Sequence, residues 1–135
     1  MSIQITTSFL PHIDADASLA FYRDALGFEL RLDVGEGRMR WLTLGAPGQD
    51  DTSIVLEPSA LDPNLSDEEK AVIAGLIAKG AWARILLTSD DVEGVLERAR
   101  AAGAEIVQEV VEQPWGARDC AFRDPAQNLI RVQQG

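Results

Sequence analysis

Histidine and cysteine are nearly absent from this chain of 135 residues: each occurs once, as His12 and Cys120. A single cysteine excludes an internal disulfide and a thiolate metal cluster. With His12 read as a solvated turn residue beside Pro11, no imidazole is available for a Ser-His-Asp arrangement or a histidine-rich metal site. Basic residues are also scarce, 12 Lys and Arg against 22 Asp and Glu, for a formal net charge of -10. They form no cluster, so neither nucleic acid nor an anionic membrane is an expected partner. No apolar run approaches the ~20 residues of a membrane helix, and the N-terminus lacks the basic flank and apolar core of a secretion signal. The expected setting is therefore cytoplasmic. A phosphate-binding loop is missing too, because Gly35-Glu36-Gly37 has neither the further glycines nor the following helix.

What remains is ordinary globular composition, 46% apolar and 25% charged, in a length suited to one domain. The pattern of caps, stops and strands occurs twice. Asp14 or Asp16 caps a helix carrying Leu19, Tyr22, Ala25 and Leu26 on one face, and Gly27 stops it. Asp90 lies as far before Gly103 as Asp14 before Gly27, around a helix with Val92, Val95, Leu96 and Ala99 inward. Strands are expected over residues 3–10, 28–32, 38–44 and 52–57 in the first half. In the second they fall at 82–88, 104–111, 115–122 and 129–133. Asp124-Pro125 opens the last turn, and Asn128 is expected in left-handed geometry at its exit. Between the halves, Ser66-Asp67-Glu68-Glu69 is a capping box, followed by Val72, Ile73, Leu76 and Ile77 at helical spacing. The expected fold class is α+β: two tandem βαβββ modules, at about 1–58 and 81–135, joined by a linker helix within 59–80 that covers one sheet. Each half is too small to stand alone, so the halves are expected to pair around a concave cleft.

The duplicated unit, with Ser18-Leu-Ala-Phe-Tyr-Arg-Asp-Ala-Leu-Gly-Phe28 in one copy and Phe122-Arg-Asp-Pro-Ala-Gln-Asn-Leu-Ile130 in the other, resembles the vicinal oxygen chelate superfamily. That group includes glyoxalase I, bleomycin resistance proteins and extradiol dioxygenases. The resemblance covers nearly the whole chain. It implies a metal ligand on the first and last strand of each module in metal-dependent members. These positions correspond here to Thr7, Leu56 (or Glu57, if the register moves by one), Arg84 and Arg131. Two guanidiniums cannot ligate a cation, so no cofactor is expected, and a divalent metal would mean that the correspondence is wrong.

Alternation along the strands sends Ile85, Leu87, Ile130 and Val132 to the helix side and Arg84, Leu86, Thr88, Leu129, Arg131 and Gln133 to the cleft. Arg84 and Arg131 suit a carboxylate, phosphate or enolate, or else pair with Glu57 or another cleft carboxylate. Trp41, Trp82, Trp115, Phe9 and Phe122 are candidates for an aromatic pocket or for core, with Trp115 favoured for ligand contact between Pro114 and Gly116. Cys120 and Tyr22 are expected to be structural, and Asp119 beside Arg118 a solvated pair. The expected ligand site is therefore Thr7, Phe9, Leu56, Glu57, Arg84, Trp115 and Arg131, holding a planar or anionic small molecule in a homodimeric binding protein. The alternative is a lyase, isomerase or dioxygenase-type enzyme with Glu57 as base and an arginine stabilising an oxyanion.

Overall fold

The computed structural model describes residues 1–135. Strand β1 (Thr7–His12) leads into helix α1 (Ala15–Ala20), and the strands β2 (Glu29–Glu36), β3 (Met39–Gly45) and β4 (Ser53–Pro58) complete the first module. Helix α2 (Asp67–Ala78) follows, then β5 (Arg84–Ser89), helix α3 (Val92–Ala101), β6 (Ile106–Glu112), β7 (Arg118–Arg123) and β8 (Leu129–Gln134). The first sheet has the order β1-β4-β3-β2 and the second β5-β8-β7-β6, each with one parallel pair, β1 with β4 and β5 with β8. The two halves are thus the same βαβββ unit, and the α+β architecture anticipated from the repeat is present.

Both modular helices start on an aspartate whose carboxylate accepts from an amide of the first turn, Asp14 from Ala17 and Asp91 from Gly94. Asp91 takes this role in place of Asp90. Both are stopped by a glycine in left-handed geometry, Gly27 at φ +79° and Gly103 at φ +86°. Helix α1 does not end regularly. It widens into a π-helical turn over Phe21–Ala25, and that added residue lets the neighbours Phe21 and Tyr22 both enter the core.

The core is continuous across the halves. Leu10, Leu42, Leu44 and Leu56 come from the first sheet, Phe21 and Tyr22 from the helical turn, Val92 and Leu96 from α3, and Phe122, Ile130 and Val132 from the second sheet. Phe21 and Phe122 pack edge to face with centroids 6.0 Å apart. The helices therefore lie between the sheets, and the uncovered faces of the two sheets look away from each other within one chain. The sequence left open whether the halves pair within one chain or exchange between two; within this chain the helix-covered faces meet in one continuous apolar core.

Several further expectations change. His12 is not a solvated turn residue. It ends β1, is buried, and its Nε2 lies 2.6 Å from the Arg40 carbonyl oxygen. Left-handed geometry at the closing turn belongs to Gln127, at φ +67°, while Asn128 is used for its side chain. The capping box of α2 forms, but of its apolar stripe only Ile77 is buried, so the helix does not cover a sheet. Residues 3–6 lie outside the first strand, and Trp115 lies in the turn between β6 and β7 rather than in a strand.

Candidate functional site

The uncovered face of the first sheet is largely apolar. Phe9 on β1 is 55% exposed, and Leu32, Val34 and Met39 on β2 and β3 are about as open, beside a half-buried Trp41 and Val55. The irregularity in β2 between Leu30 and Leu32 turns Leu32 to this side, opposite Thr43. Glu57 stands on the same face at the end of β4, level with Pro11. Burial raises its pKa above the ordinary glutamate value, and the nearby His12 acts in the opposite direction.

The β4 alternation settles the register that the sequence left open. Leu56 is fully buried in the core and Glu57 is half-buried on the uncovered face. Leu56 is thereby removed from the candidate ligand contacts, because an aliphatic side chain at that parity packs under α1. Phe122 is likewise core and not pocket.

The uncovered face of the second sheet carries a polar network beside the exposed Leu86 and Val111. Arg131 on β8 is held through its Nη1, which donates to Gln108 Oε1 at 3.0 Å and lies 3.4 Å from Asp119 Oδ2. Gln108 and Gln113 each donate from Nε2 to Asp119 Oδ1 at 2.9 Å, and Gln113 also donates to Gln108 Oε1 at 3.2 Å. Asp119 is therefore buried and compensated, not a solvated partner of Arg118, which instead pairs with Glu93. Burial alone would raise the Asp119 pKa; the two glutamine donors and the Arg131 charge outweigh it and hold the carboxyl below its usual range. Sequence reasoning missed Gln108, Gln113 and Asp119, although Asp119 shares the alternation of Arg131 across β7 and β8. Arg84 is exposed on β5, opposite Leu129 and so two residues out of register with Arg131. Trp115 is 74% exposed at the hairpin tip, two residues from Gln113. Cys120 is buried, and burial first of all pushes its thiol up to about 11, away from nucleophilic use at neutral pH.

The positions corresponding to metal ligands do not converge. Thr7 faces Ser53 and Glu57 faces Pro11, four residues further along the same parallel pair and so roughly 13 Å away. Arg84 and Arg131 lie on the other sheet, and no group of three His, Cys, Asp or Glu side chains comes together anywhere in the chain. A hydroxyl, one carboxylate and two guanidiniums do not fit a divalent cation. No helix is long and apolar enough to cross a membrane.

Comparison with known proteins agrees with this architecture. The family model of the Glyoxalase/Bleomycin resistance protein/Dioxygenase superfamily matches residues 4–132. An uncharacterized protein of Bacillus subtilis (strain 168), YurT, is 30% identical, with 99% of each chain covered. The crystal structure of UcmS2 superposes with a TM-score of 0.83 at 33% identity, over 98% of both chains. TnmS3, an antibiotic binding protein from Streptomyces sp. CB03234, superposes with a TM-score of 0.73 at 28% identity, over 99% of this chain and 98% of its own. With its duplicated βαβββ unit and a family match over nearly its full length, the chain belongs to the Glyoxalase/Bleomycin resistance protein/Dioxygenase superfamily.

Proposed function

We propose that the protein is a metal-independent, cytoplasmic small-molecule binder whose cleft forms between two copies. In that dimer the apolar face of the first sheet in one copy opposes the uncovered face of the second sheet in the other. The observation that carries this reading is the apolar face itself: Phe9, Leu32, Val34 and Met39 stand open to water side by side in a single chain. Such a face suits a planar ligand, and Arg84 and Arg131 on the facing sheet suit an anionic group on it. The similarity to TnmS3, described as an antibiotic binding protein, supports the same ligand class.

Analytical ultracentrifugation together with tryptophan quenching by a panel of planar aromatic compounds tests the proposal. A dimer with saturable quenching that is indifferent to chelator is the expected result. A monomer that quenches with none of them overturns it.

One observation favours a second reading, an enzyme with Glu57 as general base: the carboxyl stands half-buried on the uncovered face, and burial raises its pKa above the ordinary glutamate value. Turnover of a bound compound that Glu57→Gln abolishes, with binding retained, would favour it.

A further inference from the structure

Within the binding reading above, the second sheet holds a network that the function so far does not use. Gln108, Gln113 and Asp119 all converge on one another; Gln108 Nε2 also donates to the Glu109 carbonyl at 3.4 Å, and the one charged side chain the network holds is Arg131. Gln108 accepts at Oε1 from Arg131 and Gln113 while its Nε2 donates to Asp119, and Gln113 donates from Nε2 to both Gln108 and Asp119, so neither glutamine can flip without losing bonds. Asp119 supplies the countercharge that a half-buried guanidinium needs, from the adjacent strand on the same face. Both of Arg131's contacts use Nη1, so Nη2 and Nε keep their N–H groups free of partners inside the chain. That remaining edge of a guanidinium is a fork matched to two oxygens of one group. Arg84, which makes no ion pair, stands on the same face of the adjacent strand, roughly 7 Å along. With Asp119 as the countercharge of Arg131, Arg84 leaves this group of three side chains with a net positive charge in a chain of net charge -10.

We propose that this network positions Arg131 to bind the carboxylate or sulfonate of an amphipathic monoanion whose flat apolar body lies on the opposing first sheet. Gln108, Gln113 and Asp119 are positioning residues: they orient the guanidinium and do not touch the ligand. Arg84 adds long-range attraction and is screened by salt.

The test uses two fluorescent probes with the same ring system, 8-anilinonaphthalene-1-sulfonate and its uncharged counterpart N-phenyl-1-naphthylamine, titrated against the intact protein. The expected result is preference for the sulfonate. Arg131→Gln should weaken the sulfonate roughly tenfold or more and leave the neutral probe unchanged. Gln108→Leu should lower the ratio of the two affinities, a readout that loosened folding would not move selectively. Arg84→Gln, at an exposed position without a partner, serves if the Arg131 variant fails to fold, and should reduce sulfonate affinity most at low salt. Equal binding of both probes, or equal loss of both in the variants, overturns the anion subsite while leaving the apolar cleft standing. Binding of neither probe overturns the cleft, and the subsite with it.

Discussion

The phenol of Tyr22 donates to Asp124 Oδ2 at 2.6 Å, joining residues 102 positions apart in sequence and on opposite modules. The same carboxylate accepts from the amides of Ala126 and Asn128 through Oδ1, and the Asn128 side chain reaches on to the Pro11 carbonyl at 3.0 Å. The closing turn of the second module is thus bolted to the helix and first strand of the other.

Tyr22→Phe should therefore lower unfolding free energy by about 1–3 kcal/mol, since it leaves one oxygen of a buried carboxylate short of a donor. Urea denaturation measures this, and an unchanged midpoint would mean that the bond contributes nothing to module pairing.

Asp119 makes stability pH-dependent with a defined sign. Its folded pKa is depressed below its unfolded value of about 3.9, so its contribution is fully present above that pH and is lost as pH falls through the folded value. Asp124 acts oppositely: burial raises its pKa, so its contribution is present below about 3.9 and declines as pH rises through the folded value. Between pH 5 and pH 3 the Asp119→Asn variant should accordingly lose less stability than the parent, and Asp124→Asn more. Melting temperatures across that window decide it, and parallel curves for all three would contradict both assignments.

Leu56 and Glu57 separate core from face. Leu56→Ala should cost about 2–5 kcal/mol through the cavity it leaves. Glu57→Gln, half-buried on the uncovered face, should change stability by less than about 1 kcal/mol. A denaturation series that reversed this order would move the β4 register by one residue.

Protein purified without tag or chelator should contain no stoichiometric metal by elemental analysis, and none after incubation with Zn, Ni, Mn or Fe. One ion retained per chain would overturn metal independence and direct attention to Glu57 and His12.

The duplication, the three helices, the glycine stops and the parity of Arg84, Arg131, Ile130 and Val132 were legible in the sequence. Each depends on local rules: caps, left-handed glycines and a two-residue strand period act over a few residues. The burial of His12 and Asp119 and the exposure of the α2 stripe were not, because burial depends on what arrives from elsewhere in the chain. Only the assembled sheet brings the Arg40 carbonyl to His12, and only pairing of β7 with β8 sets Asp119 diagonally beside Arg131. The direction in which the modules pair also lay beyond sequence reading, since a βαβββ unit presents two faces and local pattern does not say which one meets its copy. The tertiary structure decided it through the shared core of Phe21, Tyr22 and Phe122, where the helix-covered faces of both modules bury their apolar side chains together.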